Sequence, residues 1–184
     1  MYRIMLVDDE INVLTALKRS LQRMPVDELD GDRPDIETFI SARLAIARIQ
    51  RVPVDLIISD YRMPEMSGVE FLTEAVEAQP DVARIILSGN ADLDAVVDAI
   101  NKVQIFRFVA KPWHDYELKS AVVQALAART LVLENRRLAD LVRKQYGEIS
   151  RRDAELRRLE AESPGITRFS LTGDGGIDLD DDND

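Results

Sequence analysis

The sequence predicts an α/β fold: a doubly wound five-stranded parallel sheet with helices on both faces, followed by a long C-terminal helix. Two observations predict it. Short apolar runs alternate with amphipathic stretches through the first part of the chain, the pattern of buried parallel strands covered by helices. From Asp115 the pattern becomes helical, and after Ala128 no Gly or Pro interrupts it before Gly147.

The first strand is Arg3 to Val7, apolar and short enough to be buried. A helix follows over Asn12 to Arg23, with Val13, Leu14, Leu17 and Leu21 on one face. The second strand, Asp35 to Ile40, leads to a helix over Ala42 to Arg51, and the third, Leu56 to Ser59, to a helix over Val69 to Gln79. The fourth, Ala83 to Ser88, is followed by a helix over Leu93 to Val103, and the fifth, Arg107 to Ala110, by the helix that opens at Asp115. That last helix persists to about Glu162, where Ser163, Pro164 and Gly165 stop it. At the usual rise per residue it is roughly 70 Å long, more than a domain of this size can cover. The predicted organisation is therefore a domain over 1–128, a helical coiled-coil extension over 129–162 and an acidic disordered tail over 163–184. The tail carries Asp174, Asp178, Asp180, Asp181, Asp182 and Asp184 among glycines and cannot bury enough apolar surface to order itself. Its aspartates do not make an EF-hand loop, because the Gly at the sixth position and the Glu at the twelfth are missing.

Composition narrows the chemistry. A net charge of -10 disfavours non-specific nucleic-acid binding and points to a soluble protein. The absence of cysteine excludes disulfides, thiolate zinc sites and cysteine nucleophiles. His114 is the sole histidine, so neither a histidine-based metal centre nor a Ser-His-Asp triad can be assembled. Asp8, Asp9 and Glu10 follow the N-terminus too closely for a signal peptide or a membrane span, and a cytosolic protein is expected.

In a doubly wound sheet, function sits at the carboxyl ends of the strands. There the sequence places Asp8 and Asp9 after the first strand, Asp60 after the third, Ser88 at the end of the fourth and Lys111 after the fifth. Three carboxylates forced together repel one another, and a divalent cation is the natural compensation. An all-oxygen donor set favours Mg²⁺, which takes few protein ligands and keeps several waters. A carboxylate beside Mg²⁺ can attack a phosphoryl group to form an acyl phosphate. The Ser88 hydroxyl and the Lys111 ammonium would each contact a phosphoryl oxygen. Taken alone, Asp8 and Asp9 would pass for helix N-caps and Asp60 for a turn residue; capping does not explain a lysine followed by Pro112.

These residues stand in Leu6-Val7-Asp8-Asp9-Glu10, in Ser59-Asp60-Tyr61-Arg62-Met63-Pro64 with Ser67-Gly68 following, in Leu87-Ser88-Gly89 and in Ala110-Lys111-Pro112-Trp113. As an ordered set they resemble a response-regulator receiver domain of two-component signalling, over about Met1 to Ala128. The resemblance implies a flavodoxin-like sheet of order 2-1-3-4-5 with Asp60 as phosphoacceptor. It implies Asp9 as direct Mg²⁺ ligand, Asp8 as an acidic ligand largely through water, and the main-chain carbonyl of Arg62 as a further ligand. Ser88 would be the switch hydroxyl and Lys111 the phosphate-binding lysine. The phosphoryl group would come from the phosphohistidine of a partner sensor histidine kinase or phosphotransfer protein. In such receivers an aromatic residue on the fifth strand turns inward on activation; here Phe108 stands at that position, where many relatives carry Tyr, and it is equally readable as core. Arg62 could shield the acyl phosphate or be a plain surface arginine, and Asn90, two after Ser88, is the other variable neighbour.

Heptads assigned from Ala128 put Ala128, Asn135, Val142, Ile149 and Leu156 at position a, and Leu131, Leu138, Gln145, Arg152 and Leu159 at position d. This seam predicts a coiled coil, either a parallel homodimer registered by Asn135 or a pairing with a partner helix of basic flanks. In the parallel homodimer Glu148 would face Asp153 and Glu155 would face Glu160, both repulsive. A solvated single helix is the bland alternative. No output enzyme fits in the remaining chain. The Lys-Pro-Trp ending is similar to receivers fused to cyclic-dinucleotide phosphodiesterases, whose catalytic domains need several metal-binding histidines. One continuous helix is not a helix-turn-helix, so nucleic acid is not the expected partner, although a transcription regulator's receiver stays open. A phosphatase of the haloacid-dehalogenase kind usually has a second Asp two residues after the nucleophile, where Arg62 stands.

Overall fold

A computed structural model describes residues 1–29, 31, 33–89, 103–163, 170–171 and 177–178. The predicted helix over Leu93 to Val103, apart from Val103 itself, Asn90 and most of the predicted tail lie outside the described residues. The chain divides into two compact units, Met1–Leu133 and Glu134–Asp184.

In the first unit, strands β1 (Arg3–Val7), β2 (Asp35–Phe39), β3 (Leu56–Asp60), β4 (Ala83–Ser88) and β5 (Arg107–Ala110) form one sheet, with neighbours in the order β2-β1-β3-β4-β5. Every pairing is parallel. The helices are α1 (Ile11–Gln22), α2 (Ala42–Ile49), α3 (Gly68–Ala78) and α4 (Asp115–Glu162), with a 3-10 turn at Val26–Leu29. The predicted doubly wound sheet and long last helix are both observed.

Strand alternation sorts the core into two layers. Ile4, Leu6, Leu56, Ile58, Ile85, Leu87 and Val109 face Leu14, Leu17 and Leu21 of α1 and Leu118, Ala121, Val122, Ala125 and Leu126 of α4. Met5, Val7, Ile57 and Ile86 face Ala42, Ala45 and Ile49 of α2 and Phe71, Leu72 and Ala75 of α3. Because both faces are covered, the central strands read as largely apolar runs, with the buried Arg84 the exception near the start of β4; β2 and β5 lie at the sheet's edges and are only partly buried. On edge strand β2 the exposed face is held by charge: Arg48 of α2 pairs Glu37 through two nitrogens at 2.7 and 2.8 Å.

The edge of the sheet at the strands' amino ends is closed by side chains. The Gln79 amide nitrogen donates to the carbonyls of Ile49 and Val52 at 2.6 and 2.8 Å, and its oxygen accepts from the Val54 N–H at 2.8 Å. Arg129 of α4 donates to the Asp81 carbonyl at 2.9 Å and pairs Asp55 at 2.8 Å. The Arg3 N–H donates to the other Asp55 oxygen at 2.7 Å.

In the second unit, α4 residues Leu138, Leu141, Val142, Tyr146, Ile149 and Leu156 are exposed. The dipeptides Ser170–Leu171 and Ile177–Asp178 pair antiparallel.

Candidate functional site: the acidic edge at the carboxyl ends of the strands

The first carboxylate is set by β1. Asp8 follows Val7 directly, and its N–H donates to the Phe39 carbonyl at 3.1 Å, so the strand's pairing runs one residue past the apolar run. The Asp8 side chain is fully buried. A carboxylate can stay there only if it is hydrogen-bonded. One oxygen accepts the Glu10 N–H at 2.9 Å, and the other accepts Lys111 Nζ at 2.7 Å. The Glu10 contact explains why α1 starts at Ile11: Glu10 is its N-cap, with no side-chain cap, and neither aspartate plays that part. Asp9 is exposed.

The second carboxylate is set by β3 and by the start of α3. Asp60 is the last residue of β3, one residue inside the element rather than after it. One oxygen pairs with Lys111 Nζ at 2.5 Å, and the other accepts the Arg62 N–H at 3.0 Å. Below it the backbone is clamped. Gly68 N–H donates to the Tyr61 carbonyl at 2.8 Å, and Ser59 Oγ donates to the Asp60 carbonyl at 2.9 Å. A Cβ on Gly68 would collide with the Asp60 carbonyl oxygen and lie 3.2 Å from Ser59 Oγ, so only glycine permits this approach. Ser67 caps α3 in a reciprocal box with Glu70. Glu65, in the same loop, accepts from Ser41 Oγ at 2.9 Å and so ties the loop to the start of α2.

Lys111 follows β5 directly. Its N–H donates to the Ser88 carbonyl at 2.8 Å, which fixes the lysine's backbone to the end of β4. Ser88 is buried, Phe108 is half-buried against the α2 and α3 layer, and Arg62 is exposed. The structure thus gathers Asp8, Asp60 and Lys111 in direct contact, places Ser88 at the end of the neighbouring strand β4, and leaves Asp9 and the Arg62 side chain at the surface. Ser59, Gly68 and Glu65 belong to the site's support and were not singled out for that role by sequence; the glycine after a capping serine was the one available signal.

Two carboxylates share one ammonium. Burial pushes the Asp8 carboxyl above its ordinary value, although the Lys111 hydrogen bond, the Glu10 N–H and the Lys111 charge all pull it down. Burial pulls the Lys111 ammonium down, but hydrogen bonds to Asp60 and Asp8, with their charges, outweigh it and hold the group above its usual value. The two groups differ because burial outweighs the single cation beside Asp8, whereas the two anions beside Lys111 outweigh its burial.

Among the described residues, no three His, Cys, Asp or Glu side chains are gathered as a ready metal cage. The donors at this edge are nonetheless all hard oxygens, and Mg²⁺ needs only one or two carboxylates beside its waters. Two carboxylates facing one ammonium leave a surplus of negative charge that a divalent cation would relieve. The residues therefore fit that ion.

At the carboxyl edge of a doubly wound parallel sheet, two buried carboxylates thus meet on one lysine. Residues 4–123 match the response regulator receiver domain, and the chain belongs to that family. It is 33% identical over 154 residues to the hydrogenase transcriptional regulatory protein HoxA of Cupriavidus necator, covering 84% of this chain and 27% of HoxA. The chain thus spans about a quarter of that relative's length. Among solved structures it is similar to an uncharacterised protein from Neptuniibacter caesariensis, 40% identical with a TM-score of 0.65 over 73% of this chain and 93% of the other. It is also similar to the beryllofluoride-activated NtrC4 receiver domain dimer, 29% identical with a TM-score of 0.60 over 70% and 99%. Among the described residues, no helix is long and apolar enough to cross a membrane.

Proposed function

We propose that this chain is a phosphorylation switch in which Asp60 takes a phosphoryl group from the phosphohistidine of a partner sensor histidine kinase or phosphotransfer protein. The observation that carries this reading is the shared Lys111 ammonium, 2.7 Å from Asp8 and 2.5 Å from Asp60. An Asp60 oxygen attacks phosphorus, the P–N bond of the phosphohistidine breaks, and the imidazole leaves with the electron pair. Asp60 is held for this by the Arg62 N–H and by the Gly68 and Ser59 clamp beneath it. Lys111 exchanges its Asp60 contact for a phosphoryl oxygen, a move its long, three-donor side chain permits. Ser88, at the neighbouring strand end, offers its hydroxyl to the same group, and Phe108 on β5 answers by turning inward. Asp8, Asp9, Asp60 and the Arg62 main-chain carbonyl would hold Mg²⁺, which supplies the positive charge that lets one more anion join these three carboxylates.

The receiver occupies 1–128 and has no enzymatic output of its own. Its output runs through the coiled-coil extension at 129–162, as a homodimer or with a partner helix, and the acidic tail occupies 163–184. The protein works in the cytoplasm, away from the membrane and without contacting nucleic acid itself. Likeness to an activated receiver dimer supports self-association. A second reading, the receiver of a longer transcription regulator, is favoured by the HoxA resemblance, which extends beyond the 120 residues of the family match.

Acetyl phosphate carrying ³²P tests the proposal. Label should enter the wild-type protein only with Mg²⁺, and Asp60→Asn should take up none. Undiminished label in that variant, or label indifferent to chelation, refutes the assignment.

A further inference from the structure

The heptad stripe of α4 changes character at Gly147. Upstream, the positions beside the seam are largely apolar: Val132, Ala139 and Tyr146 at e and Leu141 at g, with Glu134 the exception. Downstream they are acidic: Glu148 and Glu155 at g and Asp153 at e, while Arg151, Arg157 and Arg158 fall at the outer positions b and c. Ile149 and Leu156, the a positions between these acids, are about half exposed. Among the described residues, no hydrogen bond or ion pair engages the side chains of Glu148, Asp153 or Glu155. Gly147 has open space where a Cβ would stand, so packing does not require a glycine there, and it weakens the helix by about 1 kcal/mol relative to alanine. The helix runs through Gly147 unbroken, and its flanks turn from apolar to acidic at that residue.

A second copy cannot satisfy the downstream half. In a parallel pair, g of one chain meets e of the other, which sets Glu148 against Asp153. In an antiparallel pair over the same segment, g meets g and e meets e, which sets glutamate against glutamate. Both arrangements place acid on acid beside a seam of Ile149, Leu156 and Leu159 that has Arg152 as its one charged position, and like charges at such flanks select against the pairing.

We propose that residues 148–162 form a docking strip for a helix of a different protein, one with an apolar a/d seam and Lys or Arg at its flanking positions, while self-association is confined to the stripe before Gly147. The proposal rests on reading the extension as the output of the switch, and it names the chemistry of the output partner.

The probe is a synthetic three-heptad peptide with Leu at a and d and Lys at e and g, titrated into the full chain and followed by fluorescence anisotropy. The control peptide carries Glu at e and g. The Lys peptide should bind at least about tenfold more tightly than the Glu peptide at low salt, and the gap should narrow severalfold once the Debye length falls to about 4 Å. Glu148→Lys, Asp153→Lys and Glu155→Lys together should reverse the preference. Ile149→Ser with Leu156→Ser should abolish binding with every charge intact, which separates a docked helix from attraction to an acidic chain at large. Equal binding of the two peptides, a Lys preference that survives the charge reversal, or binding indifferent to the serine substitutions overturns the proposal. So does sedimentation equilibrium in which cutting the chain after Tyr146 converts a dimer to a monomer. Labelling of Asp60 on the same samples is scored separately, so a failed receiver assignment is told apart from a failed docking strip.

Discussion

Replacing Lys111 by Met removes the cation that Asp8 and Asp60 share and keeps most of the side chain's volume. Removing one partner of a buried ion pair costs about 3–5 kcal/mol. Here Asp8 is fully buried, but Asp60 is 10% and Lys111 21% exposed, so water reaches part of the site and the lower end applies, about 3 kcal/mol at neutral pH. With a urea slope of about 2 kcal/mol per molar, the midpoint should fall by about 1.5 M. The penalty must also depend on pH. Asp8 already sits above its unfolded value of 3.8, and the variant loses the lysine hydrogen bond and charge that pull it down, so it rises further. A carboxyl raised in the folded state costs stability at every pH above that raised value, and the cost is relieved as pH falls through it toward the unfolded value. Urea titrations with EDTA at stepped pH should therefore show the deficit of the variant shrinking with acidification. Lys111 gives the complementary sign. Its folded value lies above 10.5, so its contribution is intact below pH 10.5 and disappears as pH climbs through the folded value, making the wild type lose stability faster than the variant in strong alkali. A deficit below about 0.5 kcal/mol, within the range of ordinary surface substitutions, or one of equal size at neutral and acid pH, refutes the shared-ammonium account.

Three further outcomes follow from the supports of the site. Gly68→Ala should cost about 1–3 kcal/mol by overpacking and slow the labelling of Asp60, both read on the same preparation by urea titration and ³²P uptake. Ser67→Ala should cost about 1 kcal/mol through the lost cap of α3, visible as a lower melting temperature. Gln79→Leu strands two carbonyls and one N–H at the opposite edge and should cost about 2 kcal/mol while leaving the rate of Asp60 labelling unchanged; a slowed rate would mean the two edges are mechanically linked.

The sheet was legible because its order is written in the side chains: β1, β3 and β4 are apolar runs that make sense only with both faces covered. Asp8, Asp60, Ser88 and Lys111 were legible as strand-end residues for the same reason. Their contacts were not. That Lys111 turns to two carboxylates follows from the burial of Asp8, which no spacing reports, and Asp9, next to it in sequence, is left in solvent. The start of α1 was placed one residue late because the Glu10 N–H is taken by Asp8 ahead of the helix. The clamp of Gly68 under Asp60 joins residues eight apart through a backbone approach that would drive an added Cβ into the Asp60 carbonyl oxygen, a fact of three dimensions that composition does not carry.

Gln79 lends the domain an engineering property. Its one amide grips Ile49 and, across the exposed Arg51, Val52 and Val54, so both sides of the connection between α2 and β3 are moored to a third element that lies elsewhere in the chain. A break between Arg51 and Val52 would leave each loose end tied at the edge remote from the carboxylates. New termini for a circular permutant, or the graft of a fluorescent reporter, belong at that junction.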